Sequence, residues 1–256
     1  MTNHIMLDPK DYPLVPDTVL LREDEYWEPA VGVDADEVIE DFGPGLWAYI
    51  RGIFERQRNK REINPELVTI YDAGRDPRLG LSQGEFNRFL VDFILSGQGG
   101  MAGLNFYPGA VDTMKNLMAA GIQPIVITAT PGALDISPDN EQPYYFGTAQ
   151  ELRRKRFEQA GIVSPHNIEF ASLLQKGGFM AKNRIPLLID DHPGVAVFVA
   201  RHFGMGAFMI QNENTRYNHG VYAPGVTEFS SLEAAFPAII EFFDTLREHN
   251  KLRRSA

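Results

Sequence analysis

Two pairs of carboxylates, far apart in the sequence, each follow a short apolar run. Asp34 and Asp36 end the run AVGV, and Asp190 and Asp191 end the run IPLLI. Such runs predict buried strands that deliver the acids to one edge of a sheet. Residues two apart on a strand share a side, so Asp34 and Asp36 could hold a divalent cation that accepts a phosphate oxygen. The simpler interpretation, in which they only end the strand and cap a helix, leaves the second pair unexplained.

A hydroxyl and a cation would complete a phosphate site. Thr128 and Thr130 follow a third apolar run, IVI, and a hydroxyl with turn amides at a strand end suits phosphate oxygens. A transferring phosphoryl group also needs positive charge, for which Lys176 and Lys182 are the candidates. The residues alone do not decide between Thr128 and Thr130, or between Lys176 and Lys182. Either lysine could also be an ordinary surface side chain.

Strand and helix patterns alternate from about residue 110 onward. This alternation predicts an α/β fold, with a parallel sheet flanked by helices and a site at the carboxyl ends of its strands. The segment between the first strand and residue 104 has helical spacing, notably over 83–95, and predicts a cap over that site. We therefore expect an N-terminal arm over 1–29, a core over 30–45 and 105–256, and a helical cap over 46–104.

Two basic segments are predicted to lie on solvated helix faces. One is the polar face of a helix predicted over 46–61, which follows a turn predicted over 42–45. The other is the run RRKR at 153–156. The first could also help to attract an anionic substrate.

Composition narrows the possible partners and the compartment. The 256 residues carry 34 acidic and 24 basic side chains, a formal charge of -10, so polymeric nucleic acid is not the expected partner. The absence of cysteine excludes disulfides, thiolate metal sites and a cysteine nucleophile. No secretory leader or membrane-spanning run is evident, which predicts a cytoplasmic protein without a membrane partner.

The chemistry-bearing residues resemble the signatures of the haloacid dehalogenase-like phosphatase superfamily. Those signatures are an Asp-x-Asp strand end, a Thr or Ser strand end, a Lys and a final acidic pair. The matching residues occur here in the same order, as Asp34-Ala35-Asp36, Thr128, Lys176 and Asp190-Asp191. The resemblance spans roughly residues 31 to 245 and implies a Rossmann-like core with a small helical cap inserted after the first core strand.

Within that superfamily the sequence most resembles the 5'(3')-deoxyribonucleotidases. The likeness lies in the segments DADEVIEDF at 34–42 and FYPGA at 106–110. Two positions depart from the family pattern. Glu37 stands where the family usually has glycine, which puts a bulky acid beside the predicted metal site. The segment TATP at 128–131 is one residue longer than expected, and we favour Thr128 as the phosphate-binding residue.

The resemblance implies a Mg²⁺-dependent phosphomonoester hydrolase. In this hypothesis Asp34 is the nucleophile that forms an aspartyl-phosphate, and Asp36 is the general acid and base. Thr128, with Thr130 as the alternative, and Lys176, with Lys182 as the alternative, bind the phosphoryl oxygens. The predicted metal ligands are Asp34, the backbone carbonyl of Asp36, and one of Asp190 and Asp191.

The expected substrate is a small phosphoester, first of all a nucleoside monophosphate. Phe42 and Trp47 follow the nucleophile closely, where they could stack on a nucleobase or, equally, pack the core against the cap. The alternatives are a sugar phosphate or another small phosphoester, or a terminal phosphate of a nucleic acid. A non-catalytic binding protein in which Glu37 spoils the metal site is a further alternative. The oligomeric state stays open, with a homodimer as one option.

Overall fold

The computed structural model describes residues 29–56, 81–129, 144–162, 167–215, 218–219 and 225–254. The arm predicted over 1–29 therefore lies outside the described residues except for Pro29. The strands are β1 (Ala30–Val33), β2 (Gln123–Thr128), β3 (Ile168–Phe170), β4 (Leu187–Asp190), β5 (Gly206–Ile210) and β6 (Val226–Phe229). The α-helices are α1 (Phe42–Arg56), α2 (Gln83–Leu95), α3 (Ala110–Ala119), α4 (Tyr144–Ala160), α5 (Gln175–Asn183), α6 (Pro193–Phe203) and α7 (Leu232–Arg254).

The six strands form one parallel sheet with the order β3-β2-β1-β4-β5-β6. β1 lies in the centre, and its last residue, Val33, is paired with Val126 of β2 and Ile189 of β4. The carboxyl ends of these three strands therefore meet at one edge of the sheet. This arrangement confirms the predicted α/β class with a Rossmann-like core.

Helices cover both faces of the sheet because successive strand residues point to opposite sides. One apolar cluster joins Val31, Val33 and Ile189 to helices α3 and α7. A second cluster joins Ile127 and Leu188 to helices α5 and α6. The near-continuous apolar runs of the central strands are thus explained by burial on both faces.

Helices α1 and α2 form a third apolar cluster, which also includes Met101. Two short 3-10 turns, Gly97–Gly99 and Met101–Gly103, follow α2. The helix predicted over 83–95 is confirmed, and a capping box between Ser82 and Glu85 explains where it begins.

The turn predicted over 42–45 is wrong, because α1 already begins at Phe42. The N–H of Gly43 is bound by the side chain of Glu37, which satisfies a donor that a helix start otherwise leaves without a partner. Proline is also compatible with a first helical turn, since its missing N–H is not needed there, and Pro44 is placed accordingly.

The chain leaves the sheet for α1 and returns to it at neighbouring positions. Asp41 accepts hydrogen bonds from the backbone and the side chain of Asn105, at 2.8 and 3.1 Å, and Asp41 N donates to Asn105 O at 3.1 Å. Beyond this point Tyr107 N donates to Ile39 O at 2.9 Å. The two crossings between the sheet and the α1–α2 helices are therefore hydrogen-bonded to each other.

Helix α5 and strand β6 were not predicted, because α5 contains two glycines and β6 is short and half-exposed. Among the described helices, none has the length and apolar character needed to cross a membrane.

Candidate active site

The carboxyl ends of β1, β2 and β4 bring the predicted chemical groups together. Asp34 and Asp36 follow β1, Thr128 ends β2, and Asp190 ends β4 with Asp191 next to it. All five side chains are buried. The topology explains why acids so far apart in sequence lie at one place, since β1 is paired with both neighbouring strands.

Lys176, from the first turn of α5, joins two of these acids. Its Nζ lies 2.7 Å from Asp34 Oδ2 and 2.7 Å from Asp190 Oδ2, and all three side chains are buried. Burial disfavours the charged lysine, but Asp190 and Asp34 outweigh that effect and raise the pKa of Lys176. Lys182, the alternative, is exposed on the same helix.

The Asp34 carboxylate is held at both oxygens. Lys176 pairs with Oδ2, and Ala35 N donates to Oδ1 at 2.7 Å. Burial raises the pKa of Asp34 to about 6, with the nearby Lys176 opposing the rise. The carboxylate is therefore oriented before any ligand arrives.

Three carboxylates form a group with the spacing of a metal site. Oxygens of Asp34, Asp190 and Asp191 all lie within 4.8 Å of one another. Burial, then Asp190, Asp34 and Glu37, raise the pKa of Asp191 well above its usual range. Three acids around one lysine leave a formal surplus of two negative charges when all are ionised. A divalent cation would balance that surplus, and carboxylate oxygens are the ligands that Mg²⁺ prefers.

Asp36 is not one of the three grouped carboxylates, and its side chain contacts a buried arginine. Arg153 Nη2 contacts Asp36 Oδ1, while Nη1 lies 3.4 Å from Asp36 Oδ2 and 2.9 Å from Thr128 Oγ1. Burial raises the pKa of Asp36, and Arg153 opposes this.

The prediction that residues 153–156 form an exposed face is wrong for Arg153, which is fully buried, and for Arg156, whose side chain is only 12% exposed. The helical spacing contained the signal that reveals it. Arg153 lies four residues after Ala149 and four before Phe157, and both of these apolar side chains are buried on the same face of α4. Arg154 and Lys155 are exposed, as expected.

Glu40 is a second buried residue that the sequence did not single out. Its Oε1 lies 2.7 Å from Arg153 Nη2, and its Oε2 lies 3.2 Å from Arg156 Nη2. Arg156 also donates to the carbonyls of Ala102 and Leu104, at 2.8 Å each. Here two acids, Asp36 and Glu40, face two arginines, so this side of the site is balanced in charge.

Glu37 adopts a left-handed backbone with φ of 59°, a region that glycine favours. Its carboxyl accepts from Gly43 N and from Tyr107 Oη, the latter at 2.7 Å. Burial raises the pKa of Glu37 to about 8 despite these hydrogen bonds. The side chain thus reaches the start of α1, although its charge still contributes to the raised pKa of Asp191.

The remaining predicted residues are placed as follows. Phe42 is fully buried, edge-on to Phe93 and 5.4 Å from the Arg153 guanidinium carbon. Trp47 is buried against Phe86 in the same cluster. Both side chains pack between helices in this arrangement, and their contact with substrate stays a prediction. Thr130 lies outside the described residues.

Asn218 was not predicted as a site residue and stabilises the acidic pair. Its Nδ2 donates to Asp191 O at 2.6 Å and to Ile210 O at 2.8 Å, and its side chain is buried. Asn218 therefore fixes the backbone at the end of β4 to the end of β5.

Comparison with known proteins gives similarity in fold but not in sequence. No family model matches the sequence, and neither does any curated protein. A haloacid dehalogenase-like hydrolase from Streptococcus pneumoniae superposes with a TM-score of 0.52 at 10% identity, over 84% of this chain and 98% of that chain. A predicted phosphatase from Clostridium acetobutylicum gives 0.51 at 14% identity, over 84% and 100%.

The chain has the haloacid dehalogenase-like fold. Within this fold, the residues that resemble the superfamily signatures all lie at one edge of the sheet. Identities this low extend the likeness to the fold alone, so the chemistry has to be argued from the residues of this chain.

Proposed function

We propose that the protein is a Mg²⁺-dependent phosphomonoester hydrolase that acts through an aspartyl-phosphate. One observation carries the proposal: Asp34 is a buried, oriented carboxylate, bound to Lys176 and grouped with Asp190 and Asp191. Two neighbours of the same fold are named as a haloacid dehalogenase-like hydrolase and a predicted phosphatase, which agrees with this chemistry.

Asp34 is the proposed nucleophile. One of its carboxylate oxygens attacks phosphorus in line, forms the P–O bond of the aspartyl-phosphate, and breaks the bond to the leaving oxygen. The contacts from Lys176 and Ala35 hold the carboxylate in one orientation, which reduces the entropy lost in reaching the attacking geometry.

Asp36 is the proposed general acid and base. It gives its proton to the leaving oxygen in the first step and accepts a proton from the attacking water in the second. Hydrolysis then releases inorganic phosphate and restores Asp34. Catalysis of this kind is typically worth about 10²–10⁴-fold.

Thr128 and Lys176 would bind the phosphoryl oxygens. Asp34, the backbone carbonyl of Asp36, and Asp190 or Asp191 would hold Mg²⁺, which supplies positive charge against the developing negative charge of the phosphoryl group. The surplus of acids over lysine in this part of the site supports that ligand set.

The finer proposal is a 5'-nucleotidase that acts on deoxynucleoside or ribonucleoside monophosphates. It rests on the resemblance of segments 34–42 and 106–110 to the 5'(3')-deoxyribonucleotidases and on the aromatic residues Phe42 and Trp47 at the start of α1. Their burial means that a stacking role requires the cap helices to move apart on binding.

Phosphate release from a substrate panel tests both the proposed hydrolase and the proposed nucleotidase. The panel contains deoxy- and ribonucleoside monophosphates, sugar phosphates and para-nitrophenyl phosphate, each with Mg²⁺ and with chelator. Chelator-sensitive release that favours nucleotides supports the nucleotidase. Release from sugar or aryl phosphates alone supports the hydrolase and rejects the nucleotidase, and no release from any compound favours a non-catalytic binding protein.

A further inference from the structure

Arg153 is the only fully buried arginine among the described residues, and it bridges two groups of the proposed mechanism. We propose that Arg153 is a positioning residue, which holds the Asp36 carboxylate toward the leaving group and at a fixed distance from Thr128. This inference rests on the proposed hydrolase function and adds a residue that the superfamily signatures in this sequence do not include.

The contacts of the guanidinium define which oxygen of Asp36 is held. Nη2 makes a close contact with Oδ1, whereas Nη1 lies 3.4 Å from Oδ2, beyond a good hydrogen bond. Arg153 thus fixes the carboxyl group through Oδ1 and leaves Oδ2 available for proton transfer. The planar guanidinium contacts Asp36 with one amino group and Thr128 with the other, which fixes their relative positions in a way that a single lysine ammonium does not.

The same Nη1 sets the position of Thr128, since it donates to Thr128 Oγ1 at 2.9 Å. One rigid group therefore contacts both the proposed acid at the end of β1 and the proposed phosphate ligand at the end of β2. Because a displacement of about 1 Å can cost about 10²-fold in rate, such a shared anchor has kinetic consequences.

Glu40 and Arg156 keep Arg153 in place. Glu40 Oε1 lies 2.7 Å from Arg153 Nη2, and Arg156 binds the other oxygen of Glu40. Stability alone does not account for this network, because well-packed apolar residues often replace buried ion pairs without loss. Its arrangement around Asp36 and Thr128 points to a role in the reaction.

The dependence of the rate on the leaving group separates a positioning role of Arg153 from a purely structural role. An alkyl phosphate has a poor leaving group that needs a proton, whereas para-nitrophenyl phosphate leaves readily without one. The test compares kcat/KM for the two compounds, since this ratio reports the step in which the leaving group departs. The benchmark for loss of the acid is Asp36→Asn.

The variants Arg153→Met and Arg153→Lys should lower kcat/KM for the alkyl phosphate by about 10²-fold. The loss of kcat/KM for the aryl phosphate should be at least about tenfold smaller. Asp36→Asn should give the same contrast. Arg154→Met, which removes the exposed neighbour stacked on Phe170, should leave both rates unchanged. If Arg153→Met fails to fold, the double variant Glu40→Gln/Arg153→Met takes its place, because it leaves neither charge of that ion pair buried alone. Arg153→Lys is then the second variant.

An active wild-type protein whose folded Arg153 variants lose equally on both compounds, or lose nothing, would overturn the proposed positioning of Asp36 by Arg153 and leave the proposed hydrolase intact. Wild-type protein that releases phosphate from neither compound would instead overturn the proposed hydrolase, and the inference with it.

Discussion

The ammonium of Lys176 lies 2.7 Å from the carboxylate of Asp34, with both side chains buried. The pair joins the first turn of α5 to the end of β1. Because the lysine also binds Asp190 at the end of β4, it links the proposed nucleophile to the proposed metal ligands. Loss of this one cation would leave two buried acids without their shared partner.

Lys176→Met should therefore reduce both stability and phosphate release. Removing one partner of a buried ion pair costs about 3–5 kcal/mol, because the remaining charge stays buried. Denaturant unfolding in chelator measures the loss of free energy. Lys182→Met, on the exposed side of the same helix, should change the free energy of unfolding by less than about 0.5 kcal/mol. Equal effects of the two variants would contradict the placement of Lys176.

Asp34→Asn should abolish turnover while preserving the fold. The amide keeps the size of the carboxyl group but is a poor nucleophile, so phosphate release should fall to the background rate. Circular dichroism and thermal unfolding check the fold. Asp112→Asn, at an exposed position of α3, is the matched control and should retain wild-type activity. Substantial turnover by folded Asp34→Asn would reject Asp34 as the nucleophile.

The strand-end residues could be predicted from sequence because each follows an apolar run that has to be buried. Asp34, Thr128 and Asp190 are examples, and the parallel topology then brings them together. The choice of Lys176 over Lys182 relied on family resemblance, since spacing alone does not say which face of α5 is toward the sheet.

Arg153 and Glu40 were missed for a physical reason. A charged side chain is stable in the interior only with partners, and those partners come from distant parts of the chain. A basic run therefore predicts a solvated face unless the helical position of each of its residues is compared with the positions of the apolar residues in the same helix. The start of α1 was missed because it depends on the side chain of Glu37, outside the helix.

Mg²⁺ should raise the thermal stability of the protein. A ligand that binds only the folded state stabilises it by about 2.7 kcal/mol at a concentration 100 times its Kd. Thermal unfolding at increasing Mg²⁺ concentration measures this effect without any substrate. Asp191→Asn should weaken it because one of three grouped carboxylates loses its charge. The exposed control Asp112→Asn should show the full shift, and an undiminished shift in Asp191→Asn would exclude Asp191 as a ligand.

Stability should fall as the pH rises through the range set by Glu37. Burial raises the pKa of this carboxyl from 4.5 to about 8 in the folded protein. Between these values the folded state keeps a proton that the unfolded state has lost, so increasing pH favours unfolding. Glu37→Gln resembles the protonated acid and should make the decline between about pH 5 and 8 shallower.

Unfolding in urea with chelator, at a series of pH values, measures the effect of Glu37. Glu158→Gln, an exposed acid on α4, should leave the decline unchanged. A Glu37→Gln protein that retains the full wild-type decline would assign the pH dependence to other groups.

The hydrogen bonds between Asp41 and Asn105 make the segment between them a closed loop of the chain with adjacent ends. Such a segment can be lengthened, shortened or exchanged without altering the sheet, because its two attachment points do not move apart. In evolutionary terms the sheet and the segment that contains α1 and α2 can change at different rates. One strand-end chemistry could thereby acquire new substrates through the replacement of a single continuous stretch of sequence.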